Sequence, residues 1–261
     1  MKDVNYNKDN RIIYLDDFFA VVMKYSGDIC EMTKESSEHS LSKIMQPKIE
    51  KVLGYNVECC ECVHRLDRPV TGLCVLALQK DILAKMATSF SSGNVDKEYF
   101  AITSIPENFM NNYAENSCYV DLECKMIFDT KKQKARIVNG NNSKNISKSA
   151  KIAKLRYKIL GKGERYLFCN VKLLTGRTHQ IRCQLASLGM YIKGDIKYGS
   201  KRTEKNGGIR LHSWKLSFKH PKTLEKMTFS SYPPQIDSLW QGFIDLIQEK
   251  CDSNILEDNN G

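Results

Sequence analysis

Apolar positions along the chain fall into short blocks, and two different periods run through them. Ile12 to Leu15 and Phe19 to Met23 are dense apolar runs on either side of Asp16-Asp17, which predicts two short strands joined by a turn. Lys24-Tyr25-Ser26-Gly27 reads as a second turn, and residues 28 to 40 are polar enough to form a loop. Leu41, Ile44, Met45, Ile49, Val52 and Leu53 then recur at helical spacing, so one helix face is buried. Leu73 to Leu78 is apolar without alternation, as in a strand covered on both faces. Ile82, Leu83, Met86, Ala87 and Phe90 predict a helix stopping at Gly93.

Strands are expected over Lys97 to Ile102, 117 to 127, 134 to 138, Leu155 to Leu160 and Tyr166 to Leu174. Ile181, Leu185 and Leu188 mark a short helix running to Gly189, and Ile209 to Phe218 alternates as a strand. Ile236, Leu239, Trp240, Phe243, Ile244 and Ile247 lie on one face of a last helix, after which Asp252 to Gly261 is polar and expected to fray. Strands and short helices in mixed order predict an α+β domain, and 261 residues can bury a sizeable core. The expected organisation is a flexible extension over 1–11, one folded domain over 12–250 and a tail over 251–261.

Charge narrows the partner. Forty Lys and Arg against thirty Asp and Glu leave +10, which favours a polyanion, nucleic acid before membrane. No stretch approaches the roughly 18 to 20 apolar residues that span a bilayer. Asp3, Asp9, Asp16 and Asp17 come too early for a secretion signal or an organelle transit peptide, so a soluble cytoplasmic protein is expected. Between Thr130 and Gly163 there are eleven Lys or Arg and no acid, with a low-complexity middle over 139 to 145 inside an insert over 139 to 150. That insert reads equally as a solvated loop and as a sequence-independent phosphate contact.

The ten cysteines include Cys59 and Cys62 in a CxxC, with Cys60 between them. No second CxxC exists, and Cys118, Cys124, Cys169 and Cys183 match no common ligand spacing. Buried free thiols are therefore expected, without a metal.

Residues 64 to 73 carry the candidate chemistry, as His-Arg-Leu-Asp-Arg-Pro-Val-Thr-Gly-Leu. Asp67 stands between Arg65 and Arg68, and Pro69 and Gly72 place it on a rigid turn opening into a buried strand. Alone, those ten residues could equally be an Asp–Arg pair closing a turn. Downstream come Lys97-Glu98-Tyr99-Phe100-Ala101 and Leu174-Thr175-Gly176-Arg177-Thr178-His179-Gln180-Ile181-Arg182. His179 and Arg182, three apart, share a helix face. Gly194-Asp195 leads to Tyr198-Gly199, where Asp195 reads as a turn or cap residue. Leu211-His212 opens a strand ending at His220-Pro221, and His212 reads as a hydrogen-bonded structural histidine.

In this order the blocks resemble those of the RluA-like pseudouridine synthases: HRLDxxTSGL, a Lys-x-Tyr-x-Ala strand, TGRTHQIRxHLA, GDxxYG and LHAxxLxFxHP. The resemblance runs from about residue 12 to residue 221; Val70, Thr71, Cys183 and Gln184 depart from it at positions whose chemistry the reaction does not need. It implies the pseudouridine synthase fold, a mixed, mostly antiparallel sheet bent into two halves around a central cleft. It also implies isomerisation of uridine in ribosomal or transfer RNA by a catalytic domain over 12–250 acting as a monomer. Residues 1 to 11 are too short for the S4-type RNA-binding domain that many relatives carry.

By the same resemblance Asp67 is the catalytic acid, Arg182 its partner and Tyr99 the ring on which uracil rests. Arg65 fills the space that the flipped nucleotide leaves, Leu211 walls the base pocket, and Arg68, Arg177, His179 and Lys97 contact RNA. The reaction breaks the bond from ribose C1′ to N1, turns the uracil, and bonds C5 to C1′. No atom is gained or lost, so no cofactor is expected. An ionised carboxylate suits the electron-poor sugar carbon, by attack at C1′ or by removing a proton at C2′. Two alternatives are an RNA-binding module without catalysis and a hydrolase using Asp67 with His179 or His212. RNA affinity needs none of Asp67, Tyr99 and Arg182, and no Gly-x-Ser-x-Gly or metal-ligand string supports the hydrolase.

Overall fold

The structure is a computed structural model that describes residues 11–30, 40–107, 118–138 and 149–258, with side chains through residue 249. Strand β1 (Ile12–Leu15) turns antiparallel into β2 (Phe19–Lys24) because the Asp16 carboxylate accepts the backbone N–H of Phe18 and of Phe19, both at 2.8 Å. Helix α1 (Leu41–Leu53) buries Leu41, Met45 and Ile49 and stops at Gly54, whose left-handed φ of 84° suits glycine. The two-residue strand β3 (Glu61–Cys62) and β4 (Thr71–Ala77) flank the Asp67 turn. Helix α2 (Lys80–Ser91) lays Ile82, Met86 and Phe90 into an apolar cluster with Leu73 and Val75 of β4.

Five strands then form the second half: β5 (Asp96–Ser104), β6 (Val120–Asp129), β7 (Lys134–Ile137), β8 (Lys151–Lys162) and β9 (Tyr166–Leu173). Helix α3 (Gln180–Ser187) follows, then β10 (Leu211–Lys219), β11 (Lys226–Ser230) and helix α4 (Ser238–Asp258). The strands make one sheet of eleven in the order β1-β2-β4-β10-β5-β9-β8-β6-β7, with β11 against β10 and β3 against β4. Among the described strands only β4 and β10 pair in parallel, so the sheet is mixed and mostly antiparallel, as the resemblance implies.

That parallel pair is the seam between the halves, and Gly72 makes it possible. A Cβ on Gly72 (φ 132°) would lie 2.4 Å from the Ser213 backbone, so any side chain would push β10 off β4. Across the seam Thr71 Oγ1 and His212 Nδ1 lie 2.8 Å apart. The main core joins Met45 of α1, Leu76 of β4, Tyr99 of β5 and Leu211 of β10.

Several boundaries differ from the pattern. Strand β8 begins at Lys151 rather than Leu155, because buried Ala153, Leu155 and Tyr157 alternate with exposed Lys154 and Arg156. Charged partners on the open face hide such a strand from an apolar count. Helix α4 continues through Asp258, into the segment expected as a frayed tail. Arg11, assigned to a flexible extension, is buried: its Nε donates to the Met23 carbonyl at 2.9 Å and its guanidinium pairs with Asp28. The rest of that extension (1–10), most of the 28–40 loop (31–39), residue 117 and most of the 139–150 insert (139–148) lie outside the described residues. Among the described residues no helix is long and apolar enough to cross a membrane.

Candidate active site

The turn that carries Asp67 is held from behind by a lysine. Lys24 ends β2 with no solvent exposure, and its ammonium donates to the carbonyl oxygens of Tyr25 (3.1 Å), Asp67 (3.2 Å), Arg68 (3.1 Å) and Val70 (2.8 Å). The turn closes through Val70 N–H to the Asp67 carbonyl at 3.0 Å and is tied to the preceding turn by Gly27 N–H to the Arg68 carbonyl at 2.9 Å. A buried ammonium is costly unless its donors are used; here they organise four carbonyls of two turns. Burial nonetheless pulls the Lys24 pKa below its ordinary value.

Arg182 enters from the second half on α3. Its Nη1 donates to Asp67 Oδ2 at 2.9 Å, while Nε and Nη2 grip Asp195 Oδ2 and Oδ1 at 2.6 and 2.8 Å. The bidentate Asp195 contact fixes the guanidinium plane, so the arginine meets Asp67 through one nitrogen in one direction. Arg182 is 5% exposed and its guanidinium carbon stands 5.0 Å from the centre of the Tyr198 ring. Burial alone would lower its pKa, but the bonds and charge of Asp195, together with Asp67, outweigh burial and raise it. The cation is permanent.

His179 precedes α3 in the left-handed region (φ 55°), a conformation that costs a side chain about 1 to 3 kcal/mol and here aims the imidazole into the cleft. Its Nδ1 lies 2.9 Å from the Tyr198 hydroxyl and its Nε2 lies 3.8 Å from Asp67 Oδ2. The Tyr198 oxygen also accepts Ala135 N–H at 2.7 Å, which ties the imidazole to β7. Burial, helped by Arg182 and opposed by Asp67, brings the His179 pKa down to about 4, so the ring is neutral at ordinary pH.

The 174–179 loop is shaped by Gln180, whose Oε1 accepts from Arg177 N–H (3.0 Å) and the Thr175 hydroxyl (2.8 Å) while its Nε2 donates to the Lys154 carbonyl (3.0 Å). Tyr99 and Leu211 form the opposite wall. Their strands pair with Tyr99 opposite Ser213 and Ala101 opposite Leu211, so the two side chains are diagonal neighbours on one face. Tyr99 is 5% exposed, and burial raises its pKa above the ordinary phenol value, which keeps the hydroxyl protonated.

These groups surround a cleft of about 240 Å³. Asp67, Arg182, Tyr99, Arg65, Leu211, Lys97, Arg177 and His179 all line it, with Arg177, His179, Arg182 and Leu211 contributed by segments more than a hundred positions from Asp67. Exposed Arg65 and Arg177 and half-buried Lys97 stand with Asp67 on the same cleft, a basic rim suited to phosphates. Arg68 is the exception: it is exposed and outside the cleft lining, and the site uses its carbonyl oxygen.

Two roles were not visible in the sequence pattern, and one was misread. Asp195 does open a turn, but its side chain caps nothing; both oxygens go to Arg182. A signal existed, since a buried arginine has five donors and one aspartate cannot satisfy them. Tyr198, which orients His179, and Lys24, which braces the turn, sit in matched strings but gave no sign of their partners. His212 is structural as expected: it is fully buried, it lies 2.9 Å from the Ser231 carbonyl through Nε2, and burial lowers its pKa to about 4.

Comparison with known proteins agrees with this geometry. The family model described as RNA pseudouridylate synthase matches residues 19–187. A tRNA pseudouridine synthase C of Haemophilus ducreyi is 33% identical over 197 residues, covering 69% of this chain and 73% of that protein. A ribosomal large subunit pseudouridine synthase C of Vibrio parahaemolyticus is 27% identical, covering 85% of this chain and 65% of its own length. Among solved structures, the human RNA pseudouridylate synthase domain containing 4 superposes with a TM-score of 0.66 at 19% identity, covering 92% of this chain and 94% of that one, a likeness of fold.

Proposed function

The chain belongs to the RNA pseudouridylate synthase family and isomerises uridine in RNA to pseudouridine, and we propose that Asp67 is the carboxylate that acts on the ribose. The observation that carries this assignment is the Asp67–Arg182 pair, fixed from behind by Asp195, in a cleft that also holds Tyr99 and Leu211. Among the described residues, Arg182 and His179 both meet Asp67 at Oδ2. Oδ1 is thereby the oxygen turned to the sugar, while the pinned guanidinium holds the carboxylate in one orientation.

The target nucleotide leaves its stack at a cost of a few kcal/mol and enters the cleft, with Arg65 at the mouth taking the vacated place. Asp67 supports the C1′ centre while the C1′–N1 bond breaks. The freed uracil stays between Tyr99 and Leu211, turns, and bonds through C5; C5 then loses its proton and N1 gains one. Stacking on an aromatic ring supplies about 1 to 3 kcal/mol toward holding the base. Since the Tyr99 phenol is held protonated, the ring serves here as a wall and hydrogen-bond donor rather than as the resident base. Lys97, Arg177 and His179 contact the flanking backbone, and exposed Arg68 meets RNA outside the cleft.

We place the substrate among transfer and large-subunit ribosomal RNAs, the classes named in the two relatives. We also place the enzyme in the cytoplasm with its RNA, acting as a monomer. Pseudouridine mapping of total RNA from cells with and without the gene tests the reading: sites should vanish from one or both RNA classes, and an unchanged map in both would refute it.

A further inference from the structure

Three cysteine sulfurs meet behind the catalytic turn, from positions that the sequence does not group. Cys30 follows the turn after β2, Cys62 ends β3, and Cys74 lies within β4; their sulfurs are all within 4.8 Å of one another, with Cys30 and Cys74 at 3.9 Å. The pairing explains the meeting. Cys62 stands opposite Leu76 in the β3–β4 ladder, so Cys74 is its diagonal neighbour on the same face. The CxxC, by contrast, is split: Cys59 points elsewhere and donates to the Ala77 carbonyl at 3.6 Å.

The separations suit one soft cation. A zinc-like ion bonds each thiolate at about 2.3 Å, which sets two sulfurs of a tetrahedral site about 3.8 Å apart. Cys30 and Cys74 are already there, and the widest separation of the set needs to close by only about 1 Å. An all-sulfur donor set selects thiophilic metals over magnesium or calcium. His64 does not compete as a ligand: its Nε2 accepts Val75 N–H at 3.3 Å and its ring stacks on Phe90.

The surroundings are those of a metal–thiolate cluster. Leu66 N–H donates to Cys30 Sγ at 3.4 Å, and the Ser42 hydroxyl hydrogen-bonds Cys62. Three thiolates on a divalent ion carry one net negative charge, and one buried cation, the Lys24 ammonium, interacts with both Cys30 and Cys74. A monovalent ion would leave two negative charges against that single lysine.

We propose that Cys30, Cys62 and Cys74 bind a soft divalent cation of the zinc type, which clamps the loop after β2 to β3 and β4. As the ion binds, three sulfur–metal bonds form, thiol protons leave to solvent and no electron is transferred. The clamp reaches the active site through a short contact on the stretch leading into Asp67, Leu66 N–H on Cys30, which a thiolate sulfur accepts more strongly than a thiol. The site stands apart from the catalytic assignment, so each can fail alone.

The test uses the full chain, purified without chelator from zinc-supplemented cells. Metal analysis should find about one zinc per chain in the wild type and in Cys59→Ala, and at least ten-fold less in Cys62→Ala and Cys74→Ala. Should those variants misfold, the wild type suffices. Cobalt added to the dialysed protein should give a sulfur-to-cobalt charge-transfer band, and zinc should shield Cys30, Cys62 and Cys74 from alkylation until a chelator is added. Background metal with no cobalt band and no shielding would overturn the proposal. Binding of cuprous ion in a chelator competition without binding of zinc or cobalt would overturn the divalent assignment.

Discussion

The Lys24 ammonium lies 3.2 Å from the main-chain oxygen of Asp67, so the residue proposed to act on the ribose is anchored through its backbone by a charge with no solvent contact. Lys24→Met keeps the stem and removes the donors; the carbonyls of Tyr25, Asp67 and Arg68 each keep a backbone N–H, and the Val70 carbonyl loses its ammonium partner. Urea unfolding should show a loss of roughly 1 to 3 kcal/mol, as expected for a buried acceptor left unsatisfied. At saturating RNA the turnover rate should fall while RNA affinity changes little; a variant of unchanged stability would show that the lysine does not brace the turn.

Asp67→Asn preserves the shape of the side chain and removes its charge. Pseudouridine formation should drop by roughly three orders of magnitude or more, with RNA affinity within a few-fold of wild type. Substantial conversion of a target transcript by Asp67→Ala would place the chemistry on another residue.

The bidentate Asp195 contact makes a graded prediction. Arg182→Leu leaves Asp195 buried with no counter-charge, and loss of one member of such a pair costs about 3 to 5 kcal/mol. Asp195→Asn keeps one acceptor for Arg182 and should be milder in stability, yet it should lower turnover more than binding because the guanidinium no longer has a fixed plane. Equal losses of turnover and RNA affinity in Arg182→Leu would mark the arginine as a phosphate contact instead.

Tyr99→Phe retains the ring and Tyr99→Leu removes it. If the ring walls the uracil, the phenylalanine variant keeps most of the activity and the leucine variant loses about 1 to 3 kcal/mol of base retention, read as a ten- to hundred-fold fall in rate. Equal inactivation of both variants would assign the essential step to the hydroxyl.

Acid sensitivity follows from His212. Its native pKa of about 4 lies below the ordinary 6.5, so as pH falls through 6.5 the unfolded chain takes up a proton that the native protein refuses. The stability this group contributes is therefore complete above pH 6.5 and declines toward pH 4, by about 1.4 kcal/mol per pH unit. His179 acts in the same direction. Unfolding of wild type and His212→Gln at pH 7 and pH 5 checks this: the advantage of the wild type should shrink at pH 5, and parallel pH profiles would contradict it.

Apolar periodicity was enough to place β1, β2, α1, β4, α2, β9 and β10, because each buries a face or a whole strand. It left out β3, which is two residues long, and β11, whose Lys226-Met-Thr-Phe-Ser sequence buries only Phe229. In the site, Asp67, Tyr99 and Arg182 were legible because each lies in a recurring string. Asp195 and Lys24 were not, since their roles exist only through partners 13 and 43 positions away, at distances that no spacing rule encodes. The three-sulfur cluster was illegible for the same reason: Cys62 finds its sulfur neighbours across a strand ladder, not at Cys59.

The parallel β4–β10 seam also sets a timetable for synthesis. The segment bearing the acid leaves the ribosome early, yet its neighbour across the seam is not translated until position 211 and beyond. A nascent polypeptide can close local hairpins as it emerges, but pairings this distant in the chain come last. Until then β4 lacks its partner on one edge and the base pocket lacks the Leu211 wall, so a message truncated before that point would yield a fragment unable to modify RNA.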